Sequence, residues 1–394
     1  MRTSCESSFE RNAVNVRVTM KIGIDARNLT ASFSGIGRYL TEMARHLSLA
    51  GHQLILYMPS PPAQPLPSDF IVTSRVDAPV RTSAIRRHIW GQITLPRQIA
   101  EDKLDVFWGP AHRLPLSMLK TVARVVTIHD LVWYYHGQTM RRSGWVADRL
   151  LMPRAIATAD IVVADSNATV DALHDVLAVP HAKMRIVYPG TTADVAANTV
   201  TPSLPQGLDR PFVLFVGTLE PRKNLERLLM AYAALAPELR RACPLAIAGA
   251  PGWRQRNVAD LVAELDLIGS VKVLGFVSEA MLDSLYRHCR FVAFPSLYEG
   301  FGFPIIEANR VGKPVLTSAN SSMIEVVGDA GVLVDPFDIN SIADGLFRLL
   351  TDEPLYETLS ARTQPNAARF DWADSAQKLI DCFQQAMAQR ADRT

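Results

Sequence analysis

Two short stretches of this chain concentrate the residue types that handle anions and hydroxyl groups. One is Gly217-Thr218-Leu219-Glu220-Pro221-Arg222-Lys223-Asn224; the other is Ser296-Leu297-Tyr298-Glu299-Gly300-Phe301-Gly302-Phe303-Pro304-Ile305-Ile306-Glu307. The adjacent cations Arg222 and Lys223 suit a pyrophosphate, above all one that gathers charge as it leaves. In the second stretch Pro304 fits a first helical position, because its φ is fixed and its missing N–H is one that a helix start leaves unbonded anyway. The N–H groups of Gly300, Phe301, Gly302 and Phe303 then stand at the positive end of a helix dipole, ready to receive a phosphate. Glu299 lies in the loop before that helix and Glu307 in its first turn, so two carboxylates flank one crevice. An anion cradle beside two hydroxyl acceptors fits a ligand such as a nucleotide sugar.

These residues need strands to aim them. Apolar runs at 212–216 and 291–294 lead into the two stretches, and Asn224 reads as the cap of a helix over 225–235 that holds Arg222 and Lys223 at a helix start. Further strands fit 245–248, 271–274, 315–317 and 332–334, with helical runs between them. The same alternation occupies the first half of the chain, with strands at 21–25, 53–58, 105–108, 124–128 and 160–164 and helices at 35–49, 142–158 and 167–178. It predicts α/β architecture with parallel sheets covered on both faces. Gly35-Ile36-Gly37 opens the first helix, and His129-Asp130 stands at the carboxyl end of a strand, where such folds collect active sites. Ser166-Asn167 reads as a helix cap. The stretch between Tyr188-Pro189-Gly190 and Pro211 has a linker composition. The organisation read from this is a disordered extension over 1–19 with Met20 as the start proper, a first domain over 20–195, a linker over 196–210, a second domain over 211–371, and a helix over 372–394 that crosses back to the first domain. A cleft between two such domains is a favoured ligand site.

Composition narrows the classes. The chain has 394 residues, a formal net charge of +2 and 48% hydrophobic residues, a globular profile without the basic excess of a nucleic-acid binder. Cys5, Cys243, Cys289 and Cys382 form no CxxC pair, which argues against structural zinc or a disulfide framework and for a reducing cytoplasm. The first 19 residues lack the apolar core of a signal peptide, and no apolar run is long enough to span a bilayer. Arg81, Arg86, Arg87, His88 and Arg97 cluster around Trp90 and Ile93 without an acidic neighbour. They read either as a solvated helix face or as a basic amphipathic segment resting on anionic lipid, a surface that Arg141 and Arg142 beside Trp133, Tyr134, Tyr135 and Trp145 would extend. The run at 59–67 is a proline-rich surface loop.

The motifs together, Val216-Gly217-Thr218-Leu219-Glu220-Pro221-Arg222-Lys223-Asn224-Leu225, Val273-Leu274-Gly275-Phe276-Val277, and Glu299 with Glu307 in an E-x7-E arrangement, resemble those of the family-4 retaining glycosyltransferases. The likeness covers nearly the whole chain from Met20 and is most specific in the second domain. It implies a GT-B fold, two Rossmann-like doubly wound domains facing a cleft, and transfer of a hexose from a nucleotide sugar with retained anomeric configuration. It further implies a GDP-linked, mannose-type donor and a glycan or lipid-linked acceptor in surface polysaccharide assembly; peripheral contact at the inner face of a membrane is expected from the basic segment alone. Carried over by position, Arg222 and Lys223 hold the diphosphate, Glu299 lies near the donor sugar, and Glu307 binds the ribose hydroxyls. Gly217 and the backbone from Gly300 through Phe301 and Gly302 to Phe303 meet sugar and phosphate. Gly35 and Gly37 let the first domain approach closely, His129 faces the sugar, and the backbone at Phe276 and Val277 meets the base. Thr218 stands where many relatives carry an arginine, which shifts phosphate neutralisation towards Arg222 and Lys223. No DxD motif occupies a suitable strand end, so no metal or other cofactor is expected.

Other classes fit less well. A solute-binding protein would need an export signal, and a nicotinamide-dependent dehydrogenase a third glycine where Leu40 stands. A UDP-sugar transferase, a glycogen-synthase-like polymerase or a nucleotide-sugar epimerase of the same fold is the nearest alternative.

Overall fold

The computed structural model of the chain describes residues 19–30, 35–66, 71–78, 84–191, 202–252 and 256–393. Residues 1–18 of the expected extension and 196–201 of the expected linker lie outside this set. The first half runs β1 (Lys21–Asp25), α1 (Gly35–Leu49), β2 (Gln53–Met58), β3 (Thr73–Val76), α2 (Ala84–Asp102), β4 (Val106–Gly109) and β5 (Ala123–Ile128). It continues with a short α3 (Val132–Tyr135), α4 (Arg142–Thr158), β6 (Ile161–Ala164), α5 (Asn167–Leu177) and β7 (Met184–Ile186). The second half begins with β8 (Val213–Val216), α6 (Leu225–Ala233), α7 (Pro237–Ala242), β9 (Leu245–Ala248), α8 (Val258–Glu264), β10 (Val271–Gly275) and α9 (Glu279–His288). It ends with β11 (Phe291–Phe294), α10 (Phe303–Arg310), β12 (Val315–Ser318), α11 (Met323–Val327), β13 (Gly331–Val334), α12 (Ile339–Thr351), α13 (Glu353–Ala367) and α14 (Trp372–Ala391).

The strands form two parallel sheets, in the orders β3-β2-β1-β4-β5-β6-β7 and β10-β9-β8-β11-β12-β13. In each, the order reverses beside the first strand of that half, β1 next to β4 and β8 next to β11. Such reversals open a crevice at the carboxyl ends of the strands. The inner strands are buried on both faces, as β5 and β8 illustrate with every residue covered, which explains their unbroken apolar runs. β3 and β7 escape sequence reading for the opposite reason. Thr73-Ser74-Arg75-Val76 is an exposed edge without alternation, and β7 is only three residues long.

Apolar cores cover both faces of each sheet. The core over one face of the first sheet includes Trp372, Leu379, Ile380 and Phe383, so α14 packs on the first lobe although α13, just before it, packs on α10 of the second. The crossing is tight: the Thr191 N–H donates to the Phe370 carbonyl at 3.0 Å, and a Cβ on Gly190 would lie 2.4 Å from the Trp372 nitrogen. Elsewhere the lobes meet through Glu325 of α11, whose carboxylate accepts from the Asn167 and Ala168 N–H groups at the start of α5, both at 3.1 Å. A carboxylate is favourable at that end of a helix. Ser166 caps α5, its hydroxyl accepting from the Thr169 N–H.

Candidate active site

The carboxyl edges of the two sheets face each other across a cleft of about 900 Å³. It is lined from one side by Gly35, Arg38, His129 and Asp130, and from the other by Gly217, Arg222, Lys223, Phe276, Val277, Glu299 through Phe301, Phe303 and Glu307. Both stretches singled out by chemistry thus lie on one wall, after β8 and after β11, which are neighbours in the sheet. They are also joined directly, since the Leu297 N–H donates to the Arg222 carbonyl at 2.8 Å and the Arg222 guanidinium donates to the Tyr298 carbonyl at 2.7 Å.

At the floor Glu299 sits between the two cations, 2.5 Å from Arg222 and 2.6 Å from Lys223. Burial alone would raise its carboxyl, but Arg222 and then Lys223 outweigh burial and hold it down at about 2. Burial lowers the Lys223 ammonium although Glu299 opposes this, whereas Glu299 and Asp130 outweigh burial at Arg222 and raise it. Lys223 is further placed over the Phe294 ring, its Nζ 4.9 Å from the centroid. Glu299 is thus an ionised counter-charge fixing both cations at the cleft wall. The expected cap, by contrast, is corrected. Asn224 adopts a left-handed conformation with φ of 59° and makes no side-chain cap to α6. Its amide donates instead to the Pro295 and Pro336 carbonyls, at 2.9 and 2.7 Å, tying the Arg222–Lys223 turn to the end of β11.

The glycine loop is held from behind by residues that no motif announced. Ser321 and Ser322 donate to the Glu299 carbonyl, at 2.6 and 2.9 Å, and Ser322 also to that of Phe301. Helix α10 starts at Phe303, one residue before Pro304, after Gly302 at φ of 108°. That places Glu307 in the second turn rather than the first. Glu307 is ion-paired with Arg38 of α1 and accepts from the Tyr286 hydroxyl at 2.6 Å. These partners occupy one bond on each oxygen and leave further lone pairs for ligand hydroxyls. Arg38 is a cleft residue that no motif singled out, and its one signal in the sequence is its position directly after Gly37.

Gly300 lies hard against the facing lobe: a Cβ there would lie 1.8 Å from the His129 carbonyl oxygen. The His129 ring is bonded at both nitrogens, Nδ1 to Asp165 at 2.5 Å and Nε2 to the Pro110 carbonyl at 2.7 Å. Burial opposes the charged ring, but Asp165 outweighs it and holds the imidazole above its ordinary range. Two acceptors on one imidazole fit the doubly protonated form. His112 is the opposite case. Burial lowers it, and its Nε2 accepts from the His129 N–H at 3.1 Å. Gly217 has φ of 147°, a conformation that side chains rarely adopt. Gly35 faces the Phe303 ring, which a Cβ would reach at 3.6 Å, and Gly37 lies inside α1, where it lines a second, smaller cavity behind the Arg38–Glu307 pair. Phe276, 72% exposed, and Val277 stand at the rim after β10.

The basic segment is only partly an outer face. Arg87 lines the cleft and Trp90 is buried under the Arg27 guanidinium, while Arg86, Ile89 and Ile93 are exposed. Arg81 lies outside the described residues. Among the described residues no helix is long and apolar enough to cross a membrane.

Comparison with known proteins accords with this geometry. Residues 33–195 match the model of Glycosyltransferase Family 4, and residues 199–365 that of Glycosyl transferases group 1. The chain is 38% identical to the O-antigen chain mannosyltransferase B of Escherichia coli over 44% of its own length and 45% of that protein's. It is 36% identical to the serotype-specific mannosyltransferase WbdA of Escherichia coli over 44% of its length and 21% of that protein's. It therefore spans less than half the length of these relatives. Among solved structures, the sucrose-phosphate synthase of Thermosynechococcus elongatus superposes with a TM-score of 0.72 over 94% of this chain and all of that one, at 21% identity, and shares the two-lobed GT-B fold. A family 4 domain leading into a group 1 domain, folded as two doubly wound lobes around a cation-floored cleft, makes this chain a member of the GT-B glycosyltransferases.

Proposed function

We propose that the protein is a retaining hexosyltransferase that moves a mannose-type sugar from a GDP-linked donor to a glycan or lipid-linked acceptor in surface polysaccharide assembly. The observation that carries this reading is the buried Arg222–Glu299–Lys223 cluster beside the glycine loop, at the switch point of the second sheet. The choice of a mannose-type sugar and of a polysaccharide acceptor is supported by the likeness to O-antigen mannosyltransferases.

In this reading the donor diphosphate lies between Arg222, Lys223 and the N–H groups before α10. As the bond from the anomeric carbon to the phosphate oxygen breaks, its electron pair passes to that oxygen, and the two cations meet the new charge without rearranging. Glu299 keeps them aimed and ionised before the donor arrives. Glu307 accepts from the ribose hydroxyls, and the backbone at Phe276 and Val277 borders the base. The charged His129 ring adds positive potential on the sugar side. The acceptor hydroxyl attacks the face the diphosphate leaves and passes its proton to the departing oxygen. Glu299 and Glu307 are both engaged by side chains of the protein, which favours this route over a double displacement through a carboxylate nucleophile. Arg222 and Lys223 take the part a divalent ion plays elsewhere, so turnover is expected to persist in chelator. The exposed Arg86, Ile89 and Ile93 of α2 support peripheral contact with an anionic bilayer.

A panel of nucleotide sugars, read by nucleotide release and by thermal shift, tests donor and class together. GDP-mannose turnover and stabilisation by GDP are expected. Turnover of UDP-sugars alone would overturn the donor, and no response to any nucleotide would overturn the class.

A further inference from the structure

Beside the cleft, α3, the following turn, α4 and the end of α5 enclose an open groove of about 840 Å³ that the transfer chemistry does not use. Its walls carry Trp133, Tyr134, Met140, Arg142, Trp145 and Arg149. Tyr134 is 57% exposed, a large apolar ring presented to solvent. The floor is nevertheless ordered. The Trp145 indole N–H donates to the Trp133 carbonyl at 2.9 Å, the Trp133 indole N–H to the Met152 sulfur, and the Arg149 guanidinium lies 5.1 Å from the centre of a Trp145 ring.

Two observations connect this groove to the catalytic cleft. Met140 lines both. A run of neighbouring rings also leads towards the facing lobe: Trp133 to Tyr134 at 5.8 Å, Tyr134 to Tyr135 at 5.1 Å, and Tyr135 to Tyr298 of that lobe at 5.3 Å. Tyr298 is the residue whose carbonyl Arg222 holds and which precedes Glu299. Ring faces cover the apolar C–H faces of pyranoses, and arginines and tyrosine hydroxyls between them bond to the sugar hydroxyls at the rim. The site is a groove in which aromatic rings and two arginines stand beside the aliphatic Val146, Val176 and Leu177, whereas a bilayer would meet a convex face.

We propose that this groove holds the acceptor as an oligosaccharide, seating the sugar units behind the one that receives the new hexose. The proposal rests on the reading of the cleft as a mannosyl-transfer site, and it adds that the enzyme recognises several acceptor residues rather than one sugar or its lipid.

The test is direct binding of α-linked mannotetraose and of mannose to the full chain by saturation-transfer NMR, without donor. The tetrasaccharide should bind at least tenfold more tightly, with saturation reaching its non-terminal rings. Tyr134→Ala should weaken it about tenfold. Trp145→Ala should do the same and Trp145→Phe restore most of it, with GDP affinity by calorimetry and circular dichroism reporting that each variant is folded. Equal affinity for the two sugars, or variants that bind the tetrasaccharide like wild type, would overturn the proposal. So would variants that lose only co-flotation with phosphatidylglycerol vesicles, which would assign the groove to lipid. Because no turnover is needed, failure here is separate from failure of the donor panel.

Discussion

Replacing Gly300 with alanine perturbs one close contact between the two lobes. The added Cβ would lie 1.8 Å from the His129 carbonyl oxygen, 2.7 Å from its carbon and 3.0 Å from the Asp130 Cβ, where real Cβ contacts below 3.0 Å essentially never occur. The obstacle is backbone, and it belongs to the opposite lobe, so no side-chain rotation relieves it. The walls must retreat by more than about 1 Å, and misplacement on that scale costs on the order of 10²-fold in a reaction that depends on alignment. Each lobe keeps its own core, so the melting temperature should move little while kcat/KM for transfer falls by about that factor. Steady-state transfer kinetics alongside a thermal melt read both quantities. A variant that transfers at the wild-type rate would show that this approach is not part of the working geometry. A collapse of stability with proportionate loss of activity would show that the contact supports the fold instead.

The site makes further predictions. Arg222→Ala and Lys223→Ala should each lower kcat by roughly 10²-fold or more in folded protein, and an unchanged rate would remove them from leaving-group stabilisation. Glu307→Ala should weaken GDP binding in calorimetry by about tenfold, the scale of a lost charge-assisted hydrogen bond, whereas Arg38→Lys keeps the counter-charge and should change it less. Glu299 bears on acid stability: with its carboxyl held at about 2 against an ordinary 4.5, its ionised form stabilises the fold above pH 4.5, and that contribution fades as pH falls towards 2. Chemical denaturation of wild type and Glu299→Gln across that window should show the wild type losing stability more steeply. Parallel curves would contradict the ion-pair account. Flotation with anionic liposomes should capture the protein at low salt and release it at high salt, and no flotation would reject the membrane contact.

Much of the site was legible because its chemistry is local in the chain. Arg222 and Lys223 are adjacent, the loop from Glu299 to Glu307 is continuous, and both follow strands whose apolar runs are plain. The alternation of strand and helix determines two parallel sheets, since buried parallel strands need helices on both faces. Partnership across distance was not legible. Whether Glu299 faces solvent or two cations depends on β8 lying beside β11, and whether Glu307 meets Arg38 depends on how one lobe sits on the other. Asn224 looks like a helix cap from its neighbours, but the Pro295 and Pro336 carbonyls, 71 and 112 residues away, compete for its amide and prevail. His129 drew notice for its place at a strand end, while its charge is decided by Asp165 on the adjoining strand connection. Residue type and short spacing therefore determined which charged and glycine residues gather on one wall of the cleft. Their ionisation, their mutual distances and the closeness of the facing lobe were decided by tertiary packing, because burial and charge at these groups come from residues that meet only when the sheets have formed.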